Sequence, residues 1–415
     1  MNEKKTQEKL KELGIKTMRK IIFIYVLIFG LIANSFAQKV KFNAGVDIPK
    51  DVAILKVVDF EKSNKTHSDA IAQALEVAKS DGKFTRIILD SHDWFIDRAI
   101  EMHSDLELVI DGCKIKMKDR IHDNIIRCTN AIIDKNNPFG LCKENGIIKN
   151  FKITGKNGAS LEGCDYPYMA YHPYYKAVLP FLGDYYGWRG LTICIADASD
   201  YEISGLKISK TKTWAISQEW SCRGYIHDII FDTDVKNGDG INFRNGCSDS
   251  VVENIFGRTG DDTVACTALG NKNNQKVRPQ QMYSKQMFGF RYEREWRGIK
   301  NILIRNIFTV GKHHGVICLA TTPVVENIEI ENIYEPVESE RHSVVKIYTG
   351  FGDGYTKGNL RNIKVRNVVS RGARWAVEVK ADVRDVEISN VKQLKWGAKL
   401  TNFDKVPEGV KFSKD

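Results

Sequence analysis

The sequence lacks the motifs that mark most metal-, nucleotide- and nucleic-acid-binding proteins. It has no Cys-x-x-Cys pair, no Cys/His cluster at zinc spacing and no glycine-rich phosphate loop. Asp232-Thr-Asp234 begins like a calcium loop, but Lys236 and Phe243 stand where an EF-hand needs oxygen ligands. The positive charge has no nucleic-acid-binding module around it. We therefore predict a protein without a metal, a cofactor or a nucleic-acid partner.

The N-terminus has the pattern of a secretory signal. An unbroken apolar run follows two basic residues, and Ser35-Phe-Ala37 supplies small residues where a signal peptidase cuts. The run is too short to span a bilayer comfortably. We predict that residues 1–37 are removed and that residues 38–415 form one secreted or periplasmic domain without a membrane span. A start at Met18 would make residues 1–17 an extension outside the protein.

The predicted mature chain is basic and holds all nine cysteines. Residues 1–37 contribute +4 of the formal net charge of +10, which leaves +6 for the mature chain. A basic exported protein suits a polyanionic partner such as an acidic polysaccharide, although a surface tuned for solubility explains the charge equally well. The cysteine count is odd, so at least one is unpaired or intermolecular. We interpret the cysteines as small interior residues.

Near copies of one short pattern recur in the C-terminal half. Each copy alternates apolar and polar residues, which is the period of a strand with one buried face. The copies are Ile299–Ile307, Val325–Ile333, Leu360–Val368 and Val383–Val391, with central residues 26, 35 and 23 positions apart. A strand at such intervals, without a helical pattern between, predicts an all-β fold, a single-stranded right-handed parallel β-helix. The asparagine in each copy is expected to turn a corner and bond to backbone of the next coil.

Three segments depart from this repeat. Residues 68–79 show a helical apolar stripe, with Ser68 and Asp69 as candidate N-caps, and predict a helix that caps the N-terminal end of the coil. Residues 164–190 hold seven Tyr, one Phe and one Trp, and residues 267–297 hold seven Lys/Arg against two Glu. We interpret both as loops that wall a groove for an acidic glycan, since aromatics suit sugar faces and basic residues suit carboxylates or sulfates. A packed flap and a solvated charged face are the alternatives.

Two successive coils concentrate aspartates. Asp239 is followed 22 residues later by Asp261 and Asp262, one turn of the coil, so the three carboxylates should stack on one face. Adjacent Asp261 and Asp262 need a bulge or bend if both are to reach the surface. Three close carboxylates cannot all ionise without cost, so one should keep its proton beside an ionised partner, as glycosidic cleavage requires. The alternative is that these are corner aspartates that bond backbone.

The motifs resemble those of family 28 glycoside hydrolases, the polygalacturonases, which have a pectin-lyase-like β-helix. Four family motifs, Asn-Thr-Asp-Gly-x-Asp, Gly-Asp-Asp, Gly-His-Gly and Arg-Ile-Lys, are similar to Asn237–Asn242, Gly260–Asp262, His313–Gly315 and, weakly, Val344–Lys346. Trp214 lies in a stretch similar to the family's Pro-x-Trp segment one coil earlier. The match extends over residues 60–400 and is most informative at 210–350.

The resemblance implies a role for each matched residue. Asp261 would be the general acid, and Asp239 with Asp262 would activate water. His314 would orient or tune the acid, and Lys346 would hold a substrate carboxylate. The substrate-binding candidates are Lys346, Asn237, Trp214 and Arg341.

The chain departs from the family pattern at three points. Val344 replaces the family's Arg, so one uronate anchor is missing, and Arg341 or a basic residue of the 267–297 segment is a candidate to replace it. Asn242 replaces the last acid of the first motif. His314 follows the acids by about one coil more than expected, because the 267–297 segment intervenes. The machinery is therefore retained, while the substrate need not be plain homogalacturonan.

We predict an inverting glycoside hydrolase that acts, as a monomer, on an acidic, galacturonate-containing polysaccharide or oligosaccharide. Two bases that flank one water, opposite a single acid, fit three carboxylates better than a nucleophile does. A polysaccharide lyase on the same fold would need Ca²⁺ and an Arg or Lys base instead. A non-catalytic carbohydrate-binding β-helix is the third interpretation.

Overall fold

A computed structural model describes residues 44–132, 146–172, 175–183, 187–270, 296, 298–349 and 355–413. Its strands form two long parallel sheets, here called sheet A and sheet B, and one small antiparallel pair. The predicted signal at residues 1–37 lies outside the described residues. Within them, no helix is long and apolar enough to cross a membrane.

Sheet A comprises β1 Ala53–Lys56, β2 Thr85–Leu89, β3 Trp94–Ile96, β5 Leu106–Asp111, β6 Lys114–Met117, β8 Ile148–Lys156, β9 Ser160–Glu162, β13 Ala198–Ser204, β14 Lys207–Ser209, β16 Cys222–Asp232, β18 Ser248–Thr259, β20 Ile299–Gly311, β22 Val325–Tyr334, β24 Leu360–Ser370, β26 Val383–Gln393 and β28 Val410–Ser413. Sheet B comprises β4 Ile100–Met102, β7 Ile126–Cys128, β12 Ile193–Ala196, β15 Ile216–Glu219, β17 Ile241–Phe243, β19 Val264–Ala268, β21 His314–Ala320, β23 Ser343–Tyr348, β25 Trp375–Lys380 and β27 Lys399–Thr401. The remaining elements are the hairpin strands β10 Met169–His172 and β11 Ala177–Pro180, helix α1 His67–Asp81, and 3-10 helices at Val57–Ser63 and Trp188–Gly190.

The chain alternates between the two sheets and returns one coil further on. The centres of the sequence repeat lie in register, with Ile302 opposite Ile328, Ile328 opposite Ile363 and Ile363 opposite Val386. Because every pairing within sheets A and B is parallel and each strand pairs with the next coil, the repeat builds the predicted right-handed parallel β-helix. Unequal intervals in sequence therefore correspond to equal steps along the axis.

The apolar positions of the alternating pattern face one continuous core between the sheets. Inward residues such as Ile304, Val316 and Cys318 are fully buried there. Burial of each such aliphatic side chain stabilises the fold by about 1.5–3 kcal/mol. All eight described cysteines are free, and seven are buried, which confirms their interpretation as small interior residues.

The repeated asparagines form ladders along sheet A. Asn306, Asn332 and Asn367 have φ values of 57°, 59° and 59°, a left-handed conformation that Asn tolerates. The Asn332 amide donates to Asn306 at 2.9 Å, and Asn367 donates to Asn332 at 2.8 Å. The expected bond to backbone of the next coil is therefore wrong. Backbone groups there are already committed to the sheet, whereas each amide both donates to and accepts from its copy.

Helix α1 packs its apolar stripe on the core at the start of the coil, where Ile71 and Leu75 are buried. Its N-cap is Thr66, whose side chain accepts from the Asp69 backbone N–H at 3.1 Å, so the proposed caps Ser68 and Asp69 are two or three residues late. Ser68 lies inside the first turn and accepts from the Asp97 backbone instead, at 2.9 Å.

Of the two predicted loops, the structure describes most of residues 164–190 but little of residues 267–297. The described residues of the segment 164–190 leave the coil as predicted and include the antiparallel pair β10–β11. Tyrosines of this segment are exposed, among them Tyr166 and Tyr171. Most of the basic segment 267–297 lies outside the described residues, so its role as a wall stays a prediction.

Candidate active site

The predicted acids lie where the chain passes from sheet A to sheet B, and we call this line of turns the corner. Asp239 precedes β17, and Asp261 and Asp262 fill the turn between β18 and β19. His313 and His314 occupy the same place between β20 and β21. Three successive coils thus bring the acids and the histidines to one edge of sheet B.

The backbone register sets which residues are level with one another. The Gly240 N–H donates to the Asp262 carbonyl at 2.9 Å, and Thr263 N–H donates to the His314 carbonyl at 2.9 Å. Since Ile241 is opposite Val264, Asp239 is level with Asp262, 23 residues on. The expected alignment of Asp239 with Asp261 is therefore one residue off.

Each of the adjacent aspartates has its own histidine. Asp262 Oδ1 accepts a hydrogen bond from His314 Nδ1 at 2.6 Å. Asp261 Oδ1 lies 3.3 Å from His313 Nδ1. The prediction that His314 tunes Asp261 is therefore wrong, because the register gives His314 to Asp262 and His313 to Asp261. His314 is buried, whereas His313 is exposed to solvent.

A bend lets both adjacent aspartates reach the surface, as the sequence requires. They lie in a turn outside the regular strands, and both remain half-buried. The Thr259 hydroxyl donates to the Asp261 carbonyl at 2.9 Å and fixes this turn from inside. The turn is held by the protein interior, so the carboxylates are oriented before any ligand arrives.

Arg341 belongs to this interior support. Its side chain is 1% exposed, and Nη2 donates to the hydroxyls of Thr263 and Thr309, each at 2.9 Å. Burial lowers the pKa of Arg341 to about 10, against the opposing charge of Glu335, which lies 3.8 Å from its Nε. A Cβ at Gly315 would lie 2.7 Å from Arg341 Nη1, so the glycine makes room for the guanidinium. The prediction that Arg341 binds substrate is therefore wrong, since its side chain points inward.

Electrostatics favour an ionised Asp262. Burial by itself would raise the pKa of this carboxyl, but His314, with smaller contributions from His313 and Arg341, holds the pKa below its usual value. The pKa of His313 is lowered, chiefly because the atoms packed on one side of its ring disfavour the charged form, against the pull of Asp262, although 53% of the side chain stays exposed. Asp262 is thus ionised near neutral pH, as a general base must be.

The other predicted substrate-binding residues differ in access. Lys346 is half-buried on β23, with Nζ 3.4 Å from Glu378 Oε2 and 4.6 Å from the Tyr348 ring centroid. Asn237 is half-buried in the turn before Asp239, and its side-chain Oδ1 has no hydrogen-bond partner within the described ranges.

Trp214 is only 7% exposed. It is level with Asp239 one coil earlier and packs with Trp188 and Leu191 at the base of the aromatic segment. The ring therefore belongs mainly to the wall of the site and has little face left for a substrate.

His342 is a corner residue that the sequence motifs did not reveal. Its ring lies 6.1 Å from that of His313 and 6.4 Å from that of His314, measured between centroids. The coil that carries it is long, so its spacing from His313 gave no signal. Only the strand register places it at the corner.

One group of side chains has the composition of a metal site. Glu61, His67 and His92 present ligand atoms within 4.8 Å of one another, in the first coils and away from the corner. His67 Nδ1 accepts from the Phe95 backbone N–H at 2.9 Å, which puts the ring proton on Nε2, the atom that faces Glu61. A protonated nitrogen cannot ligate a metal, so the group fits a carboxylate between imidazoles better.

No family model matches the chain, and no curated protein matches its sequence. An iota-carrageenase of family GH82 from A. fortis superposes with a TM-score of 0.57 at 14% identity, over 92% of this chain and 93% of that one. The fold is the right-handed parallel β-helix.

Two further solved structures share this β-helix. An exopolygalacturonase from Thermotoga maritima has a TM-score of 0.55 at 14% identity, covering 89% of this chain and 92% of that one. The tailspike of E. coli bacteriophage HK620, in complex with a pentasaccharide, has a TM-score of 0.54 at 13% identity, covering 87% and 64%. At such identities the likeness is one of fold, and the function rests on the site.

Proposed function

We propose that the protein is an exported glycoside hydrolase that cleaves an acidic, pectin-like polysaccharide or oligosaccharide. The observation that carries the proposal is the corner itself, where two aspartate–histidine pairs stand beside Asp239 in consecutive coils. Glycosidic cleavage needs an acid and a base at opposite sides of one bond. The similar folds of proteins named carrageenase and exopolygalacturonase support the same chemistry.

In the proposed reaction Asp262 and Asp239 activate the water and Asp261 protonates the leaving oxygen. Asp262 suits the base because its pKa is lowered by the His314 imidazole. Asp239 is level with it in the neighbouring coil, about 5 Å away along the axis. Inverting enzymes hold acid and base roughly 6.5–9.5 Å apart, which leaves space for the water. The product would then carry the inverted anomeric configuration.

The substrate is proposed to be anionic, with Lys346 as one contact for its carboxylates. The mature charge of +6 supports an anionic partner. The aromatic segment lies against the coil that precedes Asp239, through the packing of Trp188 on Trp214. A wall on that side would admit a chain terminus rather than a continuous polymer, and so favours release of short products.

The test is a panel of pectate, carrageenan and neutral glycans with product analysis. We expect new reducing ends from an acidic glycan, short early products, and proton NMR of the inverted anomer. Loss of activity with a chelator and products that absorb as unsaturated sugars would indicate the lyase alternative instead. Binding without any cleavage would indicate a carbohydrate-binding β-helix.

Export is part of the proposal and has its own test. The apolar segment and the Ser35-Phe-Ala37 site predict a mature chain that begins at Gln38. N-terminal sequencing of secreted material should give that residue. Material that retains residues 21–32 would contradict a cleaved signal.

A further inference from the structure

The corner continues past the acids toward the C-terminal end of the coil. The His342 N–H donates to the His313 carbonyl at 3.0 Å, and the Lys399 N–H donates to the Arg374 carbonyl at 3.2 Å. The Trp375 backbone N–H donates to the His342 carbonyl at 3.2 Å and links these two coils. The strand registers, with Val264 opposite Val316, Val316 opposite Val345 and Val345 opposite Val377, place four residues in a single row, one coil apart: Asp261, His313, His342 and Arg374. The row changes from acid to imidazole to guanidinium within three steps.

Arg374 is an exposed cation of fixed orientation. Its guanidinium carbon lies 4.3 Å from the Trp375 ring centroid, so the side chain is held against the indole. Among the described residues it forms no ion pair, whereas Arg361 and Arg366 on sheet A pair with glutamates at 2.6 Å and 2.7 Å. A stacked guanidinium without an acid partner has lost part of its side-chain entropy and keeps its hydrogen-bond donors for a ligand.

Trp396 stands in the corresponding turn of the next coil and is 97% exposed. Large aromatic side chains are seldom left so accessible unless they meet a partner. The turn is anchored, because Lys395 Nζ donates to the Gly372 carbonyl at 2.7 Å and the Leu394 N–H donates to the Ser370 carbonyl at 2.8 Å. The indole is thus presented on a fixed turn.

We propose that His342, Arg374 and Trp396 form a distal subsite for an anionic sugar of the same glycan chain that the acids cleave. This inference rests on the proposed function and deepens it. Arg374 would bind a carboxylate or sulfate, and the indole would stack on a sugar face. Glu338 and Glu340 are exposed in the turn that carries His342, and their negative charges disfavour an anion there. The attraction for the anion therefore has to come from Arg374.

The position of the subsite makes binding depend on chain length. Arg374 lies three coils beyond Asp261, roughly 15 Å along the axis at about 5 Å per coil. A sugar bound only at the acids does not reach it. Oligosaccharides long enough to span the corner gain the contact, and shorter ones do not.

The experiment measures binding to the full chain carrying Asp261→Asn, so that cleavage does not interfere. Oligogalacturonates and sulfated carrageenan oligosaccharides of increasing length serve as two separate probe series, with neutral oligosaccharides as reference. Arg374→Gln should weaken binding of long anionic oligosaccharides by roughly tenfold to a hundredfold, as for a charged hydrogen bond, and leave the shortest unchanged. Trp396→Ala should weaken long oligosaccharides, and Trp396→Phe should recover part of the loss.

The matched control is Arg384→Gln, an exposed arginine on sheet A that lies 3.6 Å from Asp385. It should bind both series like the parent. Equal affinity of the Arg374→Gln chain for long oligosaccharides, equal losses at all lengths, or no binding of either anionic series would overturn the subsite. A wild-type chain that shows length-dependent binding through Arg374 but cleaves no glycan would instead overturn the proposed function and leave the subsite standing.

Discussion

Two lines of residues run along the axis of this coil and follow opposite rules. Along sheet A the same residue recurs in each coil, and Asn306, Asn332 and Asn367 bond to one another. Along the corner the residue changes at every step, and the row level with Asp239 continues through Asp262 and His314. A repeated asparagine forms hydrogen bonds with the same residue in the neighbouring coils and so stabilises the packing of one coil on the next. The changing side chains of the corner are where we propose that the chemistry takes place.

The largest expected effect is a loss of catalytic activity when Asp261, at the corner, is replaced. Asp261→Asn should reduce kcat by roughly 10²–10⁴-fold, because it removes a proton donor used in the transition state, with little change in substrate binding. The matched control is Asp385→Asn on sheet A, an exposed aspartate whose φ of 54° suits Asn. Kinetics on the glycan identified by the panel measure both. Near-full activity of the Asp261→Asn enzyme would refute its role as the acid.

The interior support of the corner should matter for stability. Arg341→Met removes the donor to Thr263 and Thr309 and leaves Glu335 without its buried cation. We expect a loss of about 3–5 kcal/mol in the free energy of unfolding, as for other broken buried pairs. Arg361→Met, which breaks a pair with Glu326 at the surface of sheet A, should cost less than about 1 kcal/mol. Comparable denaturation midpoints for the two variants would contradict the difference.

Substitutions in the asparagine ladder should have a smaller effect on stability, and glycine should be tolerated better than alanine. Asn332→Ala should destabilise by about 2–4 kcal/mol, since it loses two ladder bonds and strains a left-handed backbone. Asn332→Gly loses the same bonds but tolerates that backbone, so it should be the more stable of the two. Thermal unfolding decides the order, and the activity of both should stay at the wild-type value. An alanine variant more stable than the glycine variant would show that the backbone conformation is not the constraint.

The smallest effect is a shift in pH dependence. Because the pKa of Asp262 is lowered in the folded protein, its ionisation contributes stability above the unfolded pKa of about 3.9, and this is lost as pH falls through the folded value. His314→Gln removes a cause of the lowering, so the acidic limb of the kcat/KM profile should move to higher pH. His227→Gln on sheet A should leave that limb in place. An unchanged limb in the His314→Gln enzyme would mean that Asp262 is not the base.

Sequence patterns predicted the fold because the alternation of apolar residues fixes the register of every coil, as for Ile302 and Ile328. They also brought the three aspartates to the right turns. They failed on direction within those turns, where Arg341 points inward and His314 bonds to Asp262 rather than Asp261. In a strand, successive side chains point to opposite faces, so residue numbers predict which face each one is on. A bend has no such alternation, so residue numbers do not predict the direction of its side chains. Exposure of a residue such as Trp396 is equally invisible to periodicity.

Asp262 and His314 form a hydrogen bond although 52 residues of sequence separate them. In general, each doubling of the length of a loop costs only about 0.6 kcal/mol of folding free energy, because the entropy of loop closure grows with the logarithm of the loop length. The strands on both sides of residues 271–295 keep their register, since Val264 lies opposite Val316. A change in the length of the intervening segment is therefore compatible with an unaltered corner. We therefore expect insertions or deletions within residues 271–295 to leave the hydrogen bond between Asp262 and His314 in place.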